Sequence, residues 1–517
     1  MRSSPVNRCA ARRALGRLAL VLAAPLCAHA QSEPEVAGTP GRMFSIVPSI
    51  SITETLTDNS GLTSSNRRSD LITQVSPGLR ITSTGGRVRG FLDYALSGVL
   101  YARGSASNEF QNFLSAAANV EAVENWAYVD VASSISQQVV SAFGTRSTDP
   151  SLTNPNQTET RTFSLSPYVR GTLAGAADYE ARLTRSSTSN DAASASDVTT
   201  TQASLRIGQR SSLAKLGWSA DASHQVVDFS AGRQTENDQI RGVLSYAIDP
   251  ELRFSAIGGY EANNYVSLDK EGHRIWGLGA DWTPSERTRL SASTEDRFFG
   301  KSHSLVFQHR SARTAWTFSD TRDVSTGFDQ PTLGTRGTAF DLFFSLFASQ
   351  QPDPLLRARL VEEFLLAAGI PRDAVIFSGS SASAVTLQRR QEVSLALLGL
   401  RDTVVLSASQ SKASRLDSVV VVSDDFANGN VVRERGLNAT WSHRLTPQTA
   451  LSVTGSISRA SGTVGNQSTN LRTIFLAWSG RLGPRTSFSL GARRAAFRGS
   501  SEPYDETAVT ATLSFQL

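Results

Sequence analysis

Arginine is the residue type whose chemistry stands out in this sequence. The chain has 51 lysines and arginines, and its only lysines are Lys215, Lys270, Lys301 and Lys412. A guanidinium group can hold a carboxylate or a phosphate through two parallel hydrogen bonds. Rings of charged side chains also set the selectivity of pores. The arginines are therefore the first candidates for functional groups.

We predict that a set of charged residues lines an enclosed interior. One interpretation is a path for an anionic or hydroxyl-rich solute, and the other is mutual ion pairing that stiffens the interior. We favour the ion-pairing interpretation, in which the three acids of the set pair with some of its arginines. The candidate lumen-lining residues are Arg87, Arg89, Asp93, Asp221, Arg289, Glu295, Arg444 and Arg481.

The sequence does not indicate a catalytic or metal-binding site. Its histidines after residue 30 show no H-E-x-x-H spacing or comparable metal-binding pattern, and no G-x-S-x-G element accompanies its many serines. We predict that the protein is not an enzyme and that it carries no cofactor and no metal.

The first 30 residues have the features of a secretory signal peptide. Residues 1–17 contain five arginines and no acid, a short apolar run follows, and Ala28-His29-Ala30 has the A-x-A form of a cleavage site. We expect cleavage near Ala30. Both cysteines, Cys9 and Cys27, would be removed, as would the excess of basic residues, which argues against a nucleic-acid partner.

The remaining sequence alternates between apolar and polar residues with a period of two, which predicts β-strands. At the C-terminus, Val509, Ala511 and Leu513 share one face, and small polar residues occupy the other. The alternating runs are about 10–16 residues long, whereas strands of soluble sheets usually have five or six. Tilted strands that cross a bilayer need about 9–11 residues.

Connections of two lengths alternate along the chain, with tight turns at one end of the strands and longer loops at the other. This pattern is typical of outer-membrane barrels, whose closure leaves no unpaired strand edge in the lipid. We predict an all-β fold, a single large antiparallel transmembrane β-barrel of about 22 strands (20–24) over residues 43–517. Residues 31–42 would form a short periplasmic segment, and the barrel would lie in the Gram-negative outer membrane.

One stretch, near 338–370, has helical periodicity instead. Phenylalanines recur at helical spacing, and Asp353-Pro354 can begin a second helix that ends at Gly369. We interpret the insertion as a plug or a cap on the extracellular side, and a surface hairpin is the alternative. Its candidate residues are Phe340, Phe343, Phe344, Phe347, Arg357, Arg359 and Phe364.

Aromatic residues near strand ends are candidates for the interfacial girdles of such a barrel. The alternative for each is a packed strand residue. The candidates are Tyr101, Trp126, Tyr246, Tyr260, Trp282 and Tyr504.

The N-terminal part of the barrel resembles a known family. Residues 44–59 (FSIVPSISITETLTDN) and 69–79 (SDLITQVSPGL), then Gly85-Gly86-Arg87 and Asp93-Tyr94, resemble the PEP-CTERM system-associated outer-membrane proteins. That family is encoded beside exosortase and exopolysaccharide genes. The resemblance implies a role in polysaccharide export or surface attachment, and it defines no functional residues.

We therefore expect a conduit or accessory for exopolysaccharide. The alternatives are a structural or surface-attachment barrel with a sealed lumen, a general porin, and a TonB-dependent-like transporter, for which residues 31–42 leave no room for an N-terminal plug domain. The expected partners are outer-membrane lipids, the barrel-assembly machinery and exopolysaccharide or its export components.

Overall fold

The barrel is the part of the chain that can be described in detail. The computed structural model describes residues 44–192, 195–209, 215–326, 385–417, 424–500 and 502–517, together with Phe343, Phe347, Arg357, Leu360, Val361 and Phe364. The chain divides into two units, Met1–Arg42 and Met43–Leu517, and the barrel is the second. The predicted signal peptide, its cleavage site and the segment 31–42 lie outside the described residues.

Within the described residues, 22 antiparallel strands form one sheet, as the alternation predicts. The strands are β1 Phe44–Thr57, β2 Asp70–Ser83, β3 Val88–Tyr101, β4 Glu109–Val123, β5 Ala127–Val139, β6 Gln157–Leu173, β7 Ala177–Asn190, β8 Val198–Gln209, β9 Leu216–Phe229, β10 Thr235–Ala247, β11 Leu252–Asn263, β12 Glu271–Ser285, β13 Thr288–Arg297, β14 Gly300–Arg310, β15 Thr314–Ser325, β16 Thr386–Leu398, β17 Asp402–Arg415, β18 Val431–Arg444, β19 Thr449–Ser461, β20 Ser468–Gly483, β21 Thr486–Gly499 and β22 Tyr504–Gln516.

The sheet closes on itself. Each strand pairs with its neighbours in the sequence, and β1 pairs with β2 on one side and with β22 on the other, from Ser49↔Gln516 to Thr57↔Ala508. Among the described strands no edge strand remains, and each strand pairs with another on both sides, as burial in lipid requires. The predicted single, large, antiparallel barrel is therefore confirmed.

The two ends of the barrel differ in their connections. We call the end of the barrel at which β2, β4 and β6 end the turn rim. Its connections have at most six residues. At Ala174-Gly175, between β6 and β7, both residues have positive φ, 47° and 72°, which suits the right-handed twist of a tight hairpin. The loop rim, reached where β1, β3 and β5 end, carries the longer connections, including 58–69, 140–156 and 416–430.

Successive side chains point to opposite faces of the barrel wall. On β12, the side chains of Trp276, Leu278 and Trp282 are exposed. The side chain of Ile275, which precedes Trp276 on the same strand, is buried. The face with the exposed apolar side chains is the outer one. The inner face is rich in hydroxyl groups, and these pair across strands, as Thr162 with Thr188 and Thr440 with Thr454 do.

Among the described residues, the clusters of apolar side chains inside the barrel lie at the loop rim, and a stacked pair, Tyr128 and Tyr168, is buried nearer the turn rim. The three small clusters at the loop rim are built around Tyr101 and Tyr504, around Phe143 and Phe426, and around Phe229. Elsewhere in the described wall, strand pairing and barrel closure hold the strands together. In the part of the chain that the structure describes, no helix has the length and apolar character needed to cross a membrane.

Candidate functional site at the loop rim

The most distinctive feature inside the barrel is the connection between β5 and β6, residues 140–156, which we call the inner loop. Its shape is fixed locally by short-range hydrogen bonds from Asx and Ser side chains. Asp149 accepts hydrogen bonds from the backbone and hydroxyl of Ser151, and Asn156 donates to the carbonyls of Ser141 and Thr145. Such side-chain bonds replace the ladder that a loop lacks. The inner loop is therefore an ordered element.

Apolar anchors hold the inner loop against the inner face of the wall. Leu152 packs in the cluster that contains Tyr101, Phe497 and Tyr504. At the other end of the loop, Phe143 packs in the cluster that contains Phe426 and Val432. Burial of these side chains draws the loop into the barrel, away from the external solvent.

Ion pairs fix the inner loop to strands on the far side of the barrel. Arg146 binds Glu434 of β18 at 2.7 Å, and Asp149 accepts a 2.9 Å hydrogen bond from Arg493 of β21. Arg493 also binds Glu506 of β22, which is fully buried. Because these charges are largely withdrawn from water, each depends on its partner for stabilisation.

Two tyrosine hydroxyls complete the attachment. Tyr504 donates a 2.5 Å hydrogen bond to the carbonyl of Arg146, and Tyr101 donates a 2.7 Å hydrogen bond to the carbonyl of Ser151. The path around the ring from β5 to β18, by way of β1 and β22, passes nine strand-to-strand contacts, and the full ring has 22. The inner loop therefore crosses much of the loop-rim opening instead of covering its own hairpin.

A second attachment closes another part of the loop rim. Arg233, between β9 and β10, binds Asp417 at 2.7 Å and also donates to the backbone carbonyls of Asn264 and Tyr265. Tyr265 packs with Val227 in a buried apolar cluster, and this burial raises the pKa of its phenol. The rim therefore has at least two ordered regions that narrow it.

Arginines of the inner face lie between pairs of acids, Arg182 and Arg241 along the wall and Arg297 at its loop-rim end. Arg182 binds Asp130 and Glu180, Arg241 binds Asp221 and Glu295, and Arg297 binds Glu261 and Asp323. Arg182 links β7 to β5, Arg241 links β10 to β9 and β13, and Arg297 links β13 to β11 and β15, and each neutralises charge within the wall. These three groups of residues fit the interpretation that the charged lining consists of ion pairs.

The three acids predicted to line the lumen are ion-paired, but their partners are arginines outside the predicted set. Asp93 binds Arg80 at 2.5 Å, and both Asp221 and Glu295 contact Arg241. The expectation that they pair with members of the predicted set is wrong. Partners are set by strand register, which places Arg80 opposite Asp93 and Arg241 opposite Asp221.

The predicted arginines lie near the turn rim. Arg87 is not on the wall, because β2 ends at Ser83 and β3 begins at Val88, so this residue is exposed in the turn. This placement corrects the prediction that it lines the lumen. The other four are on inward-facing positions and are exposed to the interior; they are Arg89, Arg289, Arg444 and Arg481.

Two of the predicted girdle aromatics face the wrong way for that role. Tyr101 and Tyr504 are 7% and 1% exposed and stand on the inner face, where they bind the inner loop. Burial in the apolar cluster and a carbonyl acceptor for each hydroxyl explain this placement. The other four candidates are about half exposed; they are Trp126, Tyr246, Tyr260 and Trp282.

The predicted helical insertion is described only at a few positions. Phe343, Phe347 and Phe364 form a cluster with ring centroids 4.8–6.1 Å apart, so the two predicted segments contact each other through this face. Arg357 is helical and only partly exposed. The remaining candidates, Phe340, Phe344 and Arg359, lie outside the described residues, as does the position of the insertion in the barrel.

The described residues do not assemble a metal site, since no three His, Cys, Asp or Glu side chains among them converge. Three histidines are instead held singly by a carboxylate: His224 by Asp238, His303 by Asp320 and His443 by Asp402.

Sequence reasoning missed the inner loop, which it treated as one of the longer external loops. A usable signal was present. The segment carries two proline turns, Asp149-Pro150 and Asn154-Pro155, and apolar residues, Phe143 and Leu152, that an external loop would expose.

The comparisons with known proteins concern the fold. No family model matches the sequence, and no curated protein matches it. Among solved structures, the FrpB iron transporter from Neisseria meningitidis (F5-1 variant) is 10% identical with a TM-score of 0.50, over 91% of this chain and 82% of that one. The siderophore receptor PirA from Pseudomonas aeruginosa is also 10% identical, with a TM-score of 0.44 over 91% and 80%.

The outer membrane protein opdK from Pseudomonas aeruginosa is 10% identical, with a TM-score of 0.34 over 92% of this chain and 99% of that one. At 10% identity, the likeness to the FrpB iron transporter concerns the fold alone. The fold is that of the large outer-membrane β-barrels.

Proposed function

We propose that this protein is a non-enzymatic outer-membrane conduit, or a conduit accessory, for a hydroxyl-rich polymer of the exopolysaccharide class. The observation that carries the proposal is the inner face, where serine and threonine hydroxyls dominate and many of the charges are neutralised in pairs. The resemblance of residues 44–94 to the PEP-CTERM system-associated proteins supports the choice of polymer. The apolar outer face supports the location, with the loop rim on the extracellular side.

A wall of this kind suits a neutral sugar chain. Hydroxyl groups donate and accept hydrogen bonds, so they can exchange partners with sugar hydroxyls as a chain moves past. The sector from β17 to β1 is rich in such groups. Its inward-facing hydroxyl residues include Ser407, Ser409, Ser411, Thr440, Ser442, Ser452, Thr454, Ser456, Thr473, Thr510, Thr512, Ser51 and Thr53.

Planar-bilayer recording of the purified protein tests the conduit. We expect stepwise conductance and a concentration-dependent block of the current by neutral oligosaccharides added on one side. The same recording is made on a variant that lacks residues 338–370, the predicted plug or cap. Absence of conductance from both proteins would contradict a conduit.

A barrel with a sealed lumen is the second candidate, and the ordered loops that narrow the rim favour it. A deletion strain discriminates between the two. Loss of polysaccharide secretion is expected for a conduit, whereas normal secretion with loss of surface attachment is expected for a sealed attachment barrel. A general porin or transporter would show conductance without a block by oligosaccharides.

A further inference from the structure

The outer face of the barrel carries a compact group of arginines close to the loop rim. We call Arg433, Arg435, Arg459, Arg472 and Arg494, on β18 to β21, the outer arginine cluster. All five are exposed. Strand parity places them on the same face as the exposed apolar residues of these strands, Leu437, Ile457, Ile474 and Leu490.

The outer arginine cluster has no neutralising acid among the described residues. No ion pair joins any of its members to a carboxylate, although arginines at its two flanks are paired, Arg389 with Asp320 and Arg498 with Asp505. Arg435 donates one hydrogen bond, to the side-chain carbonyl of Gln410 at 3.0 Å. The cluster therefore has unused hydrogen-bond donors and uncompensated positive charge.

The strand register brings like charges directly opposite each other. Arg435 of β18 is the ladder partner of Arg459 of β19, and Arg433 is the ladder partner of Lys412 of β17. Like charges in these positions destabilise a sheet. An anion between them would turn the repulsion into attraction, because a guanidinium pair can share phosphate oxygens.

The surface is concave at this point. Arg433, Arg435 and Arg459 line a cleft together with polar groups of β20 and the end of β21, namely Ser468, Asn470 and Arg498. The guanidinium groups of the three cluster arginines, the amide of Asn470 and the hydroxyl of Ser468 therefore converge on one opening, while Arg498 at its edge stays paired with Asp505. This donor set fits a phosphate group with an attached sugar.

We propose that the outer arginine cluster binds the phosphate groups of a phosphorylated glycolipid of the outer leaflet. The lipid source follows from the position of the cluster, and this step rests on the proposed membrane location. Directly below the arginines, toward the turn rim, β20 presents Ile474, Leu476 and Trp478 outward. Acyl chains would lie on this apolar belt while the phosphates reach the guanidinium groups above it.

The test measures binding of diphosphoryl lipid A to the purified full-length protein in detergent, by native mass spectrometry. The variant R435Q/R459Q removes the opposed arginine pair. The matched control, R185Q/R274Q, removes two exposed outward arginines on β7 and β12, away from the cluster. Heat-modifiable migration on gels checks that each variant is folded.

We expect R435Q/R459Q to weaken lipid A binding by roughly tenfold or more. The control variant should keep the affinity of the parent, and dephosphorylated lipid A should bind weakly to all three proteins. Equal binding by R435Q/R459Q and the parent, or equal binding of the dephosphorylated lipid, would overturn the proposal. Full displacement of lipid A by inorganic pyrophosphate would also overturn it, since the site would then be one for soluble anions.

Failure of this inference is distinguishable from failure of the proposed conduit. A parent protein that conducts in bilayers but does not bind lipid A refutes only the glycolipid site. A parent protein that binds lipid A through the cluster but never conducts refutes only the conduit.

Discussion

Arg146 of the inner loop and Glu434 of β18 form a 2.7 Å ion pair between elements that lie far apart around the barrel. Their side chains are only 11% and 7% exposed, and Arg146 also donates to the hydroxyl of Ser458 on β19. A loop bound in this way is part of the interior, and its attachment can be broken at defined atoms.

Glu434→Gln should destabilise the folded barrel by about 3–5 kcal/mol, because it leaves Arg146 buried beside a neutral side chain. The free energy of unfolding is measured by denaturant titration in lipid vesicles, followed by tryptophan fluorescence. Asp93→Asn is the matched control, since its ion pair with Arg80 is about half exposed and should contribute about 1 kcal/mol or less. Equal losses for the two variants would contradict a buried attachment.

Tyr504→Phe should cost about 1 kcal/mol, because it removes the hydroxyl that donates to the carbonyl of Arg146 and leaves the ring in place. The comparison is Tyr246→Phe, which alters a half-exposed tyrosine on the outer face and should leave the free energy of unfolding unchanged. If Tyr246→Phe proved the more damaging change, the assignment of Tyr504 to the inner face would be wrong.

The strands and their closure were predictable because a transmembrane barrel must repeat one simple pattern. Each strand needs an apolar face toward lipid and a polar face inward, and a closed ring needs an unbroken series of hairpins. The alternation around Leu437 and around Val509 shows this pattern, and both segments are strands with those residues outward. Local sequence determines this level of structure.

Parity could also have corrected the error at Tyr101. Leu100 lies on the outer face, so the next residue must point inward, whatever its preference for a membrane interface. Position in the alternation, and not proximity to a strand end, determines the face on which a side chain lies.

The inner loop could not be placed in the same way. Arg146 and its partner Glu434 are 288 residues apart, and a period of two does not record which loop meets which inward charge. The same applies to Arg241, whose position between Asp221 and Glu295 depends on the register of several strands. These contacts are properties of the closed barrel.

The two faces of the wall make different demands on a new charge, and two adjacent residues of β10 test this. Leu244→Arg places a charge on the lipid-facing side, near the turn-rim end of β10, and should destabilise the barrel by about 1–2 kcal/mol, because the cost of a charge falls from the bilayer midplane toward the interfaces. Ser245→Arg places the same charge on the inner face and should have little effect. Denaturant titration in vesicles compares the two, and the reverse order would show that the faces have been exchanged.

Removal of the inner loop should enlarge the conducting path. The variant replaces residues 143–153 with a short Gly-Ser segment and carries Glu434→Gln, so that no buried carboxylate is left without its guanidinium partner. Arg493 keeps Glu506 as a partner in this variant, which preserves the wall. Single-channel conductance in planar bilayers should rise severalfold over the parent, and the block by neutral oligosaccharides should weaken.

The control for that experiment shortens another connection at the same rim, with residues 463–466 of the β19–β20 loop replaced in the same way. Val464 in that loop is exposed, so its removal should leave the conductance at the value of the parent. The inner loop crosses the opening, whereas the β19–β20 loop only borders it. Equal conductance in the parent and in the inner-loop variant would mean that the inner loop does not limit the path, and the narrowest point would then have to lie elsewhere in the barrel.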